Sequence, residues 1–363
     1  MKAGACLLRG SRCLAVVALA LCAWPGPVGA VTQYTITDLG TLGGSRRRAF
    51  GMNASGQIVG EWRDASEETH AFVWEEGVMV DLGTLGGSFS GARAINVSGQ
   101  VVGSSRIASG EVHAFLWANG VIQDLGTLGG AKSNGYDISG SGQIVGSSLD
   151  VAGDPRAFLL EDGTMHSLGT LGGAASYAYR INDSGKVVGW ADTAGGDDHA
   201  FLWGDGMMQD LGTLGRGWSS AADLNGSGQV VGWAQLPNLD THAFLWQEDT
   251  GMQDLGTLGG VQSWANGINA SGQIVGCAEA YSRVRRCFLW EDGEMYDLSV
   301  LIVDATGWKL DSAEDINDWG QIVGYGTHGS ETRAFLLTPI PEPSVMGLIG
   351  LALIVTIRRW RRC

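Results

Sequence analysis

The segment Asp-Leu-Gly-Thr-Leu-Gly-Gly begins at Asp38, Asp81, Asp124 and Asp254. It recurs in altered form from Ser167 and Asp210, and degenerates to Asp-Leu-Ser-Val-Leu from Asp297. Successive copies start 43 or 44 residues apart. A second signature, Ile-Asn-x-Ser-Gly-Gln-Val-Val-Gly, is centred on Asn53, Asn96, Ser139, Asn182, Asn225, Asn269 and Asn317. A third, His-Ala-Phe-Leu-Trp, starts at His70, His113, Arg156, His199, His242, Arg286 and Arg333. A period of this length is that of a four-stranded propeller blade, a unit that cannot bury its apolar face alone and must stack on neighbours.

The second repeat shows the local logic. Ala92–Asn96 reads as a strand, Ser98-Gly99 as a turn, and Gln100–Ser105 as the returning strand. His113–Ala118 follows, then Asn119-Gly120, the dipeptide that best fits a two-residue hairpin, and Val121–Leu125. No segment has sustained helical periodicity. The expected fold is therefore all-β, a seven-bladed β-propeller. The chain opens its body with Tyr34–Leu39, a fourth strand lacking the first three. It ends with Ala313–Asn317, Gln321–Gly326 and Arg333–Thr338, three strands lacking a fourth. Pairing the first of these with the last closes the ring and removes the exposed edges that invite aggregation.

The ends differ in composition from the body. Lys2, Arg9 and Arg12 precede the apolar run Cys13–Trp24, and Val28-Gly29-Ala30 supplies small residues for cleavage, so 1–30 reads as a secretory signal peptide. At the other end, Pro341-Glu342-Pro343 is followed by fourteen uncharged residues, Ser344–Ile357, and then by Arg358, Arg359, Trp360, Arg361 and Arg362. Fourteen helical residues cover about 21 Å, short of a hydrocarbon core of about 30 Å. Arginines and an interfacial tryptophan extend that reach, and place the basic end in the cytoplasm. Proline-glutamate-proline, apolar stretch and terminal arginines, in that order over 341–363, resemble the PEP-CTERM sorting signal of Gram-negative bacteria. The resemblance implies recognition and removal by an exosortase, a transient inner-membrane anchor, and a cell-surface, outer-envelope or extracellular destination. The body, 31–340, resembles the HAF-repeat family of extracellular bacterial proteins, named for the tripeptide seen at His70-Ala71-Phe72. That family offers no catalytic residues to carry over.

The whole chain has a net charge of −15, and most of its basic residues outside the repeats lie in the two ends, leaving the body more acidic still. Such a surface repels phosphate backbones, which argues against nucleic acid as a partner. Of six cysteines only Cys277 and Cys287 lie in the body, too few for a zinc site or a disulfide framework. Both fall in the sixth repeat, on strands expected to oppose one another. Export would make a disulfide between them favourable.

No nucleophile elbow, His-Glu-x-x-His pair or phosphate loop occurs. Arginine replaces histidine in three HAFLW copies, so that slot reads as a hydrogen-bonding tie between strands. Trp74, Trp117, Trp203, Trp246 and Trp290 read as inter-blade packing, whereas Trp190, Trp218, Trp233 and Trp264 lie outside that slot and could form a sugar-stacking platform. Asp223, Asn225 and Ser227 have the oxygen spacing of a short calcium loop, which an Asx turn explains equally. The expected function is non-catalytic binding or adhesion, to extracellular polysaccharide or a surface protein, without a required cofactor. The competing expectation is an extracellular propeller glycosidase or lyase, which needs two carboxylates in one cleft.

Overall fold

A computed structural model describes residues 32–40 and 46–341. Among them the protein is all-β, with twenty-eight strands and one helical turn, Leu298–Leu301. Antiparallel ladders run in sets of four, one per repeat. In the second repeat they are Gly86–Ile95, Val101–Ile107, Val112–Ala118 and Val121–Asp124, paired in that order. Single parallel residue pairs, such as Thr69↔Phe89 and Thr241↔Gln262, join some sets into larger sheets.

The first strand begins earlier than sequence reasoning places it, at Gly86 rather than Ala92. A glycine pair has little strand propensity, so pattern alone leaves it in the preceding loop. Elsewhere the local chemistry matches. Asn119 and Gly120 take φ of 53° and 81°, as a type I′ hairpin requires. Gly103, on the second strand, sits so close to the first that a Cβ there would overlap the Gly91 carbonyl oxygen. That approach explains why every Val-Val-Gly copy keeps its glycine.

The strand Tyr34–Asp38 pairs antiparallel with Glu331–Pro339, from Tyr34↔Pro339 to Asp38↔Phe335, completing the last set as its spacing predicts. The apolar core lies between successive sets. Ala200, Leu202 and Leu211 of the fourth repeat pack on Ala221, Val230 and Phe244 of the fifth. The same kind of cluster joins the ends of the body: Ala49, Met52 and Ile58 of the first repeat meet Val323 and Ala334 of the last, with Leu39 among them. Trp246 is buried in such a cluster, and Trp74, Trp117, Trp203 and Trp290 pack against theirs.

Candidate functional site

Most repeated polar residues hold strands together. His113 Nδ1 lies 2.8 Å from Asp124 Oδ2, tying the third strand to the fourth, and His199–Asp210 and His242–Asp254 repeat the contact at 2.8 Å. Where Ser167 replaces the aspartate, the histidine has become Arg156, which turns to Asp150 and Asp154 instead. A serine that sequence reasoning missed links repeats. Ser133 Oγ accepts from Ala114 N at 2.9 Å and donates to Gly126 O at 2.6 Å. Ser90, Ser176, Ser219 and Ser263 do the same. Its signal was a serine seven residues after the first glycine of the Asp-Leu-Gly motif.

The asparagines form a second link: Asn53 Nδ2 donates to Asn96 O, Asn96 to Ser139 O, and Asn225 to Asn269 O, at 2.9 to 3.1 Å. Asn225 Oδ1 accepts from Ser227 N and Gln229 N, an Asx turn. The Asp223 carboxylate accepts from Leu224 N and Ile268 N. Cys277 and Cys287 stand directly opposite across their strands, as their placement predicts, and both are buried, with no bond between them in this structure. Of the sorting residues only Pro341 is described. Glu342, Pro343, the apolar stretch Ser344–Ile357 with its arginines, and the signal segment 1–30 lie outside the described residues. No helix among those described is long and apolar enough to cross a membrane.

One residue from each repeat lines a shared cavity. Each first strand carries an extra residue where its register slips against the second: between Ala49 and Gly51, Ala92 and Ala94, and so on around. Such a bulge re-aims the inserted side chain. The seven inserted residues are Phe50, Arg93, Tyr136, Tyr179, Ala222, Asn266 and Glu314, and all seven line one cavity of about 380 Å³. In six of the seven strands the next residue lines a polar neck of about 190 Å³, where Asp137, Asp223 and Asp315 surround Arg180. Each carboxylate accepts a backbone N–H from a neighbouring repeat: Asp137 from Ile181, Asp223 from Ile268 and Asp315 from Met52, at 2.8 to 2.9 Å. Arg180 Nε lies 3.5 Å from Asp223 Oδ1. Burial pushes Asp137 up to about 6 and Asp223 up to about 7, against the opposing pull of Arg180.

Beyond the other end of that cavity, sharing Tyr179, Ala222 and Asn266 with it, opens a pocket of about 420 Å³ over the fourth to sixth repeats. Trp190, Trp233 and Trp264 line it, with Asp198 and Arg285. Trp190 stacks on Tyr177 at 4.7 Å and donates from Nε1 to Tyr179 Oη at 2.9 Å, which fixes its plane. The Arg285 guanidinium lies over the Trp264 ring, 5.1 Å from its centroid. Burial, then a shared hydrogen bond with Asp192, holds the Asp198 carboxyl above its ordinary range. Trp218, grouped with these tryptophans by sequence, is not among the pocket's lining residues and is half exposed.

The C-terminal residues 339–362 match the PEP-CTERM protein-sorting motif. Such a motif implies an exported, envelope-associated protein that an exosortase processes. No curated protein sequence matches the chain. Among solved structures it is similar to TolB from Acinetobacter baumannii at 13% identity and a TM-score of 0.47, over 79% of this chain and 64% of that one. A gluconolactonase from Xanthomonas campestris gives 11% and 0.41, over 85% of this chain and 95% of that one. A puromycin-hydrolyzing peptidase from Mycobacterium tuberculosis gives 13% and 0.47, over 82% of this chain and 52% of that one. No residue or chemistry is carried over from them.

Proposed function

We propose that the body is a closed, seven-bladed HAF-repeat propeller acting outside the cell as a non-catalytic binding module for extracellular polysaccharide. The observation that carries this reading is the gathering of Trp190, Trp233 and Trp264, none of them required by the repeat, into one half-open pocket. Flat aromatic faces bind the C–H faces of pyranose rings by burial of apolar area, and a pocket of this size suits one or two sugar residues. The pairing of Tyr34–Asp38 with the last repeat and the Asp315–Met52 contact support closure. Glycan-panel binding by the exported protein tests the reading. Trp233→Ala is expected to lose the bound glycans with an unchanged melting temperature. Binding that survives this substitution removes the pocket from the function.

One observation favours the glycosidase or lyase reading: Asp198, on the pocket wall, stands opposite a second carboxylate, Asp192. The two oppose one another across paired strands, which suits a shared hydrogen bond better than action on two sides of one bond. Incubation with a bound polysaccharide is expected to release no new reducing ends. Release that stops in Asp198→Asn replaces binding with hydrolysis.

A further inference from the structure

Strand register sets up three equivalent positions in consecutive repeats, of which the first and last, at Asp198 and Arg285, line the pocket. They are Asp198 opposite Asp192, Thr241 opposite Gln235, and Arg285 opposite Glu279. The pocket is thus polar at two ends of opposite sign, with tryptophans between. At the sixth-repeat end, Glu279 is the natural ion-pair partner of Arg285 but does not take it. The nearest hydrogen bond of Glu279 Oε2 is from Val261 N, at 3.4 Å, and the guanidinium lies instead on Trp264. No carboxylate among the described residues lies within 4 Å of Arg285. An arginine spread on an aromatic face presents its N–H edge in a fixed plane that suits a planar anion, and here the Cys277 thiol is its other polar neighbour.

We infer that the pocket takes an acidic sugar, a hexuronate within a polysaccharide, with its carboxylate on Arg285 and its ring on the tryptophans. This rests on the saccharide-binding reading above and adds the charge of the ligand to it. A carboxylate matches the guanidinium fork in two parallel hydrogen bonds, which a neutral hydroxymethyl group cannot do. At the fourth-repeat end, Asp198 and Asp192 offer acceptors that suit ring hydroxyl donors and repel a second carboxylate placed there. The two ends therefore orient the sugar as well as select it. The acidic body disfavours anions over most of its surface, so a uronate needs a cation free of carboxylates, and Arg285 is one that stands beside the tryptophans.

The test is a panel in which each uronic-acid oligosaccharide is paired with its neutral hexose counterpart, titrated into the exported protein by calorimetry. The uronate of a pair is expected to bind at least about tenfold more tightly, the worth of one charge-assisted contact. The preference is expected to shrink as salt rises, because Arg285 is exposed. Arg285→Gln is expected to bring the ratio of uronate to neutral affinity down to about one. Trp233→Ala is expected to weaken both. Equal binding of both members by the wild type, or a preference that survives Arg285→Gln, overturns the acidic-sugar inference and leaves the saccharide reading standing. Binding of neither member anywhere in the panel overturns both.

Discussion

Five junctions between sequence-adjacent repeats are built alike, and the junction between the last repeat and the first is not. At the five, a buried serine hydroxyl bridges an N–H and a carbonyl of the preceding repeat, as Ser133 does. At the sixth-to-seventh junction the register puts the buried Leu310 in that slot, and the inserted Asp311 accepts from Thr327 Oγ1 at 2.8 Å. At the closing junction the slot holds Arg47, buried, reaching Gly40 O at 3.5 Å and Glu331 at 3.1 Å. Arg333 binds that same Glu331 at 3.0 Å and Asp38 at 2.5 Å. Neighbours in sequence are delivered to one another by a short turn, and a hydroxyl suffices to fix their register. The closing contacts join residues 263 to 295 positions apart. They carry a larger loop-closure entropy, and here charges with long reach replace the small hydroxyl.

Removal of residues 34–39 is expected to have the largest effect. It strips the ladder from Glu331–Pro339 and takes Leu39 out of the closing cluster. Loss of cooperative melting, or a transition lowered by tens of degrees, is expected. Deletion of the exposed loop 194–196 serves as the control. If both deletions melt alike, the closing junction is no different from a surface loop.

Arg47→Ser asks whether the serine that serves five junctions also serves the closing one. It is expected to cost roughly 3–5 kcal/mol, since a short hydroxyl leaves a cavity and orphans the groups the guanidinium spans. Ser133→Ala, the matching change at an ordinary junction, orphans a buried N–H and is expected to cost about 1–3 kcal/mol. Denaturant unfolding measures both. If the order reverses, the charged closure is not the stronger requirement.

Much of this architecture was legible in the sequence because a repeat states its pairing seven times. The strand order, the completion of the last set by Tyr34–Asp38, and the opposition of Cys277 to Cys287 all follow from period and turn chemistry. The site was less legible. The residues of the shared cavity are bulge insertions, and a bulge leaves no mark on an alternating pattern until the register of both strands is known. Trp190, Trp233 and Trp264 could be set apart from the packing tryptophans as breaks in the repeat, but sequence also grouped Trp218 with them. Trp218 falls in the register irregularity between Arg216 and Ser219, whereas Trp264 pairs regularly with Cys277, and that difference shows only once both strands are placed.

The carboxylates of the neck give the comparison a pH readout. Asp137 and Asp223 link internal junctions, and both are pushed up, to about 6 and about 7. Between about pH 4 and those values the unfolded chain is ionised while the folded one keeps its protons. Folding then binds protons, so these groups favour the fold most in acid and lose that contribution as pH rises through 6 to 7. The melting temperature is expected to fall from pH 5 to pH 8, by more than in Asp137→Asn/Asp223→Asn. The difference between the two proteins is on the order of 3 kcal/mol or less. Equal slopes would remove the neck from the pH response.

The smallest effect expected is that of the two thiols, and it separates a local constraint from the closing one. Cys277 and Cys287 oppose one another on strands joined by a short loop, so a disulfide there shortens an already local connection. Chain entropy limits the gain to about 2–3 kcal/mol, less any strain from bridging paired strands. The two sulfurs are also placed unequally. The Cys277 thiol is drawn down to about 6 by its hydrogen bond with Cys287 and by the Arg285 guanidinium, whereas that same contact and burial push the Cys287 thiol up. A thiolate beside a neutral thiol is the arrangement from which an oxidant begins a bridge, with Cys277 as the attacking sulfur. Export to an oxidising compartment supplies the oxidant. Thiol titration of the exported protein, denatured without reductant, is expected to find no reactive thiol. After reduction the melting temperature is expected to drop by less than in Arg47→Ser. Two reactive thiols per chain before reduction would refute the bridge, and a larger drop than Arg47→Ser would make the sixth repeat, rather than the closing junction, the point on which the fold depends.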